Sequence, residues 1–248
     1  MRDSIKRAKK AVFGNQTENL LTETSPFAVQ EAYKTIRTNI MFSIPDEKCK
    51  KILITSALQG EAKSTTAVNL SIAFAQNKSK VLLLDGDLRL PTDALKLSAK
   101  KTPGLTNLLV GMCSLDDAIQ HLPNGLDLMT AGDVPPNPSE LLGSLKMEQV
   151  MKDLESRYEY IIIDAPPIGV VTDATILSKM TSGVILVVRQ GIATRECINE
   201  ALEKLEFVNA KVLGMVMTGA INEKTRSYKK GYGYGYANSY AQAQNTDR

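Results

Sequence analysis

The 248-residue chain has no tryptophan, five phenylalanines, three cysteines and a single histidine. Each shortage removes a class of chemistry. Cys49, Cys113 and Cys197 stand far apart, without the paired spacing of a zinc site or a disulfide framework, and so point to a reducing compartment. His121 lies alone in a stretch that reads as helix, which gives poor support to a Ser–His–Asp or His–carboxylate relay. No apolar run approaches the roughly 18–20 residues of a membrane span, and the basic N-terminus lacks a signal-peptide apolar segment. The expectation is a protein that is neither secreted nor membrane-spanning by itself. With 43% hydrophobic and 23% charged residues, the chain can bury a core without metal or disulfide staples, and one globular domain is the default.

The formal charge of +3 conceals an uneven distribution. Residues 1–10 hold five basic side chains and one acid, residues 224–248 again five and one, and the 213 residues between them carry −5. The scarce aromatics are equally uneven: five of the eight tyrosines, Tyr228, Tyr232, Tyr234, Tyr236 and Tyr240, fall in the last 21 residues, three of them alternating with Gly231, Gly233 and Gly235. That segment has no apolar periodicity and is expected to be disordered in isolation. A basic terminus is commonly just a solvated end, and a Tyr/Gly tail by itself reads as a sticky low-complexity segment or a strand for single-stranded nucleic acid.

Between the ends the pattern is that of an α/β protein. Val29, Tyr33, Ile36 and Ile40 fall at helical spacing, which predicts a helix over Val29–Phe42. From Lys51 onward, short apolar runs at 52–54, 81–84, 126–129, 160–163, 184–188 and 212–216 alternate with helical segments. Near-continuous apolar runs suit a doubly wound, mostly parallel sheet with helices on both faces. Asp133-Val-Pro-Pro-Asn-Pro138 can continue neither helix nor central strand and predicts a rigid loop before a helix at Ser139 or Glu140. The expected organisation is a basic segment 1–28, a helix over 29–50, a core over 51–223 and a tail over 224–248.

The chemistry is concentrated after the first strand, in Ser56-Ala-Leu-Gln-Gly-Glu-Ala-Lys-Ser-Thr-Thr66, which leads into a helix reaching about Gln76. A phosphate-binding loop needs backbone N–H groups turned inward at a helix N-terminus, a lysine for the β/γ-phosphates and a hydroxyl for Mg²⁺. Gly60, Lys63 and Ser64 supply these, within a loop of Gln59, Gly60, Glu61, Ala62, Lys63, Ser64 and Thr65; positions 57 and 62, where the general pattern has glycine, are alanine. Two further apolar runs end in acids, Asp85-Gly-Asp87-Leu-Arg89 and Asp164-Ala-Pro-Pro167. Any one of these aspartates alone is an ordinary cap or turn residue. At the C-terminal ends of parallel strands, however, all three converge on whatever the loop holds, and with Lys63 and Ser64 they define a Mg-nucleotide site of the P-loop NTPase kind.

The loop, the Asp85-x-Asp87-x-Arg89 element, the Asp164-x-x-Pro167 strand end, the Pro135–Leu142 segment and the terminal tyrosines together resemble the bacterial tyrosine kinases of capsule and exopolysaccharide synthesis, over nearly the whole chain from Glu31 onward. The chain departs from that pattern at Ala62 in place of glycine, Leu90 in place of lysine and Thr218 in place of asparagine. Glu31-x-x-Lys34-x-x-Arg37 matches a Glu-x-x-Arg-x-x-Arg helix that builds a ring of subunits in the family, with lysine where the family has its first arginine. The related cell-division and partition ATPases carry an extra lysine early in the loop; Leu58 stands there here.

The resemblance implies the following roles. Asp85 would orient or deprotonate a tyrosine phenol. Asp87 and Asp164 would support Mg²⁺ with Ser64, and Lys63 and Arg89 would offset charge on the transferring phosphoryl group. ATP and Mg²⁺ are the implied cofactors and the five tail tyrosines the phosphoacceptors. Taken as a coil, the 25-residue tail spans about 25–30 Å, enough for a neighbouring subunit's site. The expected partners are further copies of the chain, a separate transmembrane activator of the polysaccharide co-polymerase type and a cognate tyrosine phosphatase, with no nucleic acid. The expected location is the cytoplasm, at the inner face of the membrane through the activator. The competing readings are a partition-type ATPase switch and a non-catalytic scaffold.

Overall fold

The computed structural model describes residues 19–220; the five tail tyrosines and most of the basic N-terminal segment lie outside them. In chain order the elements are α1 (Phe27–Ser43), β1 (Lys50–Ser56), α2 (Lys63–Ala75), β2 (Val81–Asp85), α3 (Asp93–Lys96), α4 (Leu105–Leu109), α5 (Leu115–Ala118), β3 (Ile119–His121) and β4 (Asp127–Met129). There follow α6 (Pro138–Leu142), α7 (Leu145–Glu155), β5 (Tyr160–Asp164), α8 (Asp173–Ser178), β6 (Gly183–Arg189), α9 (Arg195–Phe207) and β7 (Val212–Thr218).

All seven strands form one sheet in the order β3-β4-β2-β5-β1-β6-β7, parallel throughout except for the antiparallel β3–β4 pair. The apolar runs become its strands, and alternate residues within each run feed opposite faces. Leu53, Leu82, Leu84, Ile161, Ile163 and Leu186 build the core on one side, while Ile52, Ile54, Leu83, Ile162, Ile185 and Val187 build the other. Helix α2 covers the second core through Ala67, Val68, Leu70 and Phe74, and α8 covers the first through Ala174 and Leu177. The chain thus leaves β1 toward β2 on one face and crosses from β5 to β6 on the other. This change of direction opens a crevice at the C-terminal ends of β1 and β5.

Helix α1 begins after Pro26, one of the residues suited to a helix start, and docks on α2. Asn69 of α2 fixes the chain leading into it, accepting from the Leu21 N–H at 2.8 Å and donating to the Asn19 carbonyl at 2.9 Å and the Tyr33 hydroxyl at 3.2 Å. Tyr158 and Tyr160 are buried, and Phe74 stacks on Tyr160 with ring centroids 4.1 Å apart.

Two expectations need correction. His121 belongs to the short strand β3, not to a helix: its Nδ1 meets Asp127 Oδ1 of β4 at 2.6 Å, and this cross-strand pairing overrides the helical pattern of the preceding residues. The run at 212–216 forms the edge strand β7, which is not covered on both faces. Leu213 and Val216 pack onto the second core, but Met215 and Met217 are 57% and 65% exposed. Among the described residues, no helix is long and apolar enough to cross a membrane.

Candidate active site

Strand register brings the acids together. Asp85 ends β2, Asp164 ends β5, and the two are direct partners across adjacent parallel strands, one strand spacing apart. Asp87 continues from Asp85 through an Asx-type turn in which its N–H donates to Asp85 Oδ1 at 3.2 Å, while its own Oδ1 accepts from the Leu90 N–H at 3.0 Å. Lys63, the first residue of α2, points back over the strand ends. Its Nζ lies 3.1 Å from Asp87 Oδ2, 3.4 Å from both Asp164 oxygens and 3.2 Å from Ser64 Oγ. Lys63, Ser64, Asp85, Asp87 and Asp164 are therefore one cluster in space.

The loop from β1 to α2 is shaped for an anion. Gly60 and Ala62 both have positive φ, +85° and +68°, on either side of Glu61, which does not. Alternation of hand turns successive N–H groups to one side and makes a concave nest at the start of α2. Glycine adopts this conformation without cost, whereas Ala62 carries a Cβ into the left-handed region at roughly 1 kcal/mol or more. The preference for glycine at position 62 is thus a backbone requirement. Gln59 and Gly60 are exposed at the loop's rim, and Ala62, Lys63, Ser64 and Thr65 are half-buried beneath it.

Glu61 has a different place from that expected of it. Its side chain is 1% exposed, accepting from the Leu58 N–H at 2.6 Å and the Arg189 N–H at 3.1 Å, while its carbonyl accepts from the Thr218 hydroxyl at 2.9 Å. The carboxylate braces the loop to the end of β6 and the backbone carbonyl ties it to the end of β7, which leaves the Glu61 backbone N–H for a phosphate. Leu58 packs against the first core, at the position where partition ATPases carry their extra lysine. On the opposite side, the Gly169 N–H bonds the Ala57 carbonyl, and a Cβ at Gly169 would stand 2.2 Å from that oxygen.

Arg89 is held away from the lysine cluster. Its Nε and Nη2 donate to Asp173 at 2.8 and 3.1 Å, and Nη2 also donates to Ser139 Oγ at 2.9 Å. Asp173 is fully buried at the start of α8 and accepts from Ser139 as well, at 2.6 Å. This network joins the Asp85–Arg89 segment to the first turn of α6, just after the proline-rich loop. Asp173, Ser139 and the buried Asp93 escaped the sequence reading; the bonds of the first two span 34 to 84 residues, and the one available signal was an Asp at a helix start.

The three elements of Glu31-x-x-Lys34-x-x-Arg37 lie on α1. Lys34 pairs with Glu31 at 2.7 Å on the surface, and Arg37 donates through Nη1 to the Ala73 carbonyl near the end of α2 at 2.7 Å.

Burial and crowding set the protonation of the cluster. Burial by itself would depress the Lys63 ammonium, but Asp164 and Asp87 outweigh it and the pKa is raised. Burial, reinforced by the Asp164 carboxylate and opposed by Lys63, pushes Asp85 up to about 7. Burial also raises Asp164, against the lowering pull of Lys63 and of the Ser64 hydrogen bond. A buried acid that titrates near neutrality, beside a lysine and a hydroxyl at an anion nest, suits proton abstraction next to a nucleotide phosphate.

Fold and site together define a P-loop nucleotide-binding protein. The family described as AAA domain matches residues 49–214. The chain is 41% identical over 226 residues to the tyrosine-protein kinase YwqD of Bacillus subtilis, covering 90% of this chain and 94% of that protein. The crystal structure of the chimerical protein CapA2B2 superposes with a TM-score of 0.77 at 34% identity, covering 85% and 97% of the two chains. The kinase domain of the Escherichia coli tyrosine kinase ETK does so with 0.76 at 31% identity, covering 82% and 80%. The chain belongs to the bacterial tyrosine kinases of capsule and exopolysaccharide systems.

Proposed function

We propose that the protein transfers the γ-phosphoryl group of ATP to Tyr228, Tyr232, Tyr234, Tyr236 and Tyr240 of a neighbouring copy, in a ring built through the Glu31, Lys34 and Arg37 face of α1. The observation that carries this reading is the convergence of Lys63, Ser64, Asp85, Asp87 and Asp164 at the mouth of a left-handed loop, in a chain whose C-terminal segment concentrates tyrosine.

In this reading the N–H groups of 59–65 bind the phosphates and Lys63 exchanges its aspartate partners for the β/γ-phosphate oxygens. Ser64, Asp87 and Asp164 offer the oxygens that fit a nucleotide-bound Mg²⁺, whose contribution is to offset phosphate charge. A phenol has a pKa near 10 and stays protonated at neutral pH, so it needs a base. Asp85 takes the phenol proton as the phenolic oxygen bonds to the γ-phosphorus, and the bond from that phosphorus to the ADP oxygen breaks. Asp85 is suited to this because its acid and base forms are close to balance near pH 7. Arg89, held by Asp173 and Ser139, stands ready at the rim for an acceptor or phosphate oxygen.

The reading includes a separate transmembrane activator, a counteracting tyrosine phosphatase and a position at the inner membrane face through that activator. Each phosphate adds about −1.5 to −2 charges, so five add roughly −8 to −10 and reverse the tail's +4 and its attraction to the −5 body. Phosphorylation is therefore expected to loosen the ring.

The decisive experiment mixes a full-length Lys63→Met chain with a tail-deleted active chain, labelled ATP, Mg²⁺ and the cytoplasmic end of the activator. Phosphotyrosine on the Lys63→Met tail is the expected result. Its absence, with an active wild-type control, would exclude transfer between subunits; its absence in the wild type as well would favour the scaffold.

A further inference from the structure

The acid-lined end of the sheet holds more acids than there are cations beside them. Asp85, Asp87, Asp93 and Asp164 are buried there, each 5% exposed or less, and the nearby cations are Lys63 and Lys96. Lys63 serves Asp87 and Asp164, and Lys96 Nζ donates to Thr92 Oγ1 at 2.7 Å. Four acids thus share two ammonium groups, and burial and mutual crowding push Asp85, Asp93 and Asp164 toward their neutral forms when no further cation is bound.

Asp93 is the least satisfied of the four. Both of its carboxylate oxygens are buried and have no hydrogen-bond partner, although an unpaired buried carboxylate is among the most costly groups a fold can hold. Its position is fixed by its own N–H, which donates to Asp85 Oδ2 at 3.2 Å and keeps the start of α3 against the end of β2. Asp85, Asp93 and Asp164 each present an oxygen, and these oxygens lie within 4.8 Å of one another. Three carboxyl oxygens converging from three strand and helix ends, two of them on acids that a cation would hold ionised, match a small hard divalent cation in geometry and donor type.

We infer that Asp93, Asp85 and Asp164 form a buried divalent-cation site, for Mg²⁺ or Mn²⁺, that fills in the absence of nucleotide. It shares Asp164 with the ion proposed at Ser64 but differs from that ion in using Asp93 and in needing no phosphate of ATP. Asp93 supplies the oxygens that otherwise have no partner. The inference rests on the buried acids and stands apart from the tyrosine-kinase reading, because it is read without ATP or a tyrosine substrate.

The test titrates Mn²⁺ into nucleotide-free, full-length protein and follows the free ion by electron paramagnetic resonance. One ion per wild-type chain is expected, with affinity weakened about tenfold or more in Asp93→Asn and retained in Ser64→Ala. Mg²⁺ should raise the melting temperature of the wild type but not of Asp93→Asn. Asp93→Ser, smaller and uncharged, answers the same question should the asparagine variant not fold. Absence of a nucleotide-free ion in the wild type, or unchanged affinity in the Asp93 variants, overturns the inference. Equal losses in Ser64→Ala and Asp93→Asn overturn it too, since the ion would then be the one at Ser64. Phosphotyrosine formation, scored separately, keeps the fate of the kinase reading distinct.

Discussion

The two sides of the crevice are built on opposite plans. On the β1 side, the phosphate loop is preformed: Glu61 ties it to Leu58, Arg189 and Thr218, and its carboxylate has a donor for each oxygen. On the β2 and β5 side, four acids crowd around two lysines and neither carboxyl oxygen of Asp93 has a hydrogen-bond partner. One half of the site is a finished socket, and the other gains by receiving positive charge. Binding energy for an anion and demand for a cation are thus separated by the width of a single lysine side chain, which spans from α2 to the acids.

Removing that lysine should have the largest effect. Lys63→Met leaves Asp87 and Asp164 without their counter-ion, a loss of about 3–5 kcal/mol for a broken buried pair, measurable by denaturant unfolding alongside the disappearance of phosphotyrosine. Next is the socket's brace: Glu61→Ala leaves the part-buried Leu58 and Arg189 N–H groups without their acceptor and should cost about 1–3 kcal/mol with a fall in ATP affinity, while Glu61→Gln, which keeps one acceptor, should lose less. Equal effects would show that the loop does not depend on the carboxylate.

The acid side should instead report through pH. Asp85 has an ordinary value of 3.8 and is raised to about 7 in the fold, so the folded state holds more protons than the unfolded state between these values. Stability of the nucleotide-free protein should therefore fall as pH rises from about 4 to about 7, by up to about 1.4 kcal/mol per unit. Asp85→Asn should flatten that slope, and a steep slope persisting in the variant would assign it to another group. The smallest expected change is Ala62→Gly, which relieves a left-handed alanine and should gain about 0.5–1 kcal/mol with tighter ATP binding. A decrease in stability would mean that the methyl group contributes packing that outweighs the backbone strain.

Much of this division was legible in the sequence, for reasons that are local. The strands announced themselves as apolar runs, and the acids at their ends needed only the rule that parallel strands deliver their C-terminal residues to one edge. Register then did the rest, placing Asp85 beside Asp164. Local pattern failed where long-range bonds decide. Glu61 stood only as a member of the phosphate loop because the partner of its carboxylate, Arg189, is 128 residues away, and Arg89 was assigned to the phosphoryl group without its partner Asp173, 84 residues away. Asp93 drew no notice in the sequence; only the packing of α3 against β2 shows it buried. His121 misled for the complementary reason, since three residues of edge strand are too few to show a period.

The Thr218 hydroxyl, bonded to the loop at Glu61, also marks where the chain departs for its tyrosines. Counting along the sequence, Tyr228 stands ten residues beyond Thr218 and Tyr240 22 residues beyond, chain lengths of at most about 36 and 79 Å. In the proposed transfer, chain length alone would keep each tyrosine within that distance of the rim of the crevice. Such tethering corresponds to millimolar local concentrations. On the proposed reading a free protein substrate would compete with tethered acceptors, and the order in which tyrosines are used would depend on chain length more than on sequence preference.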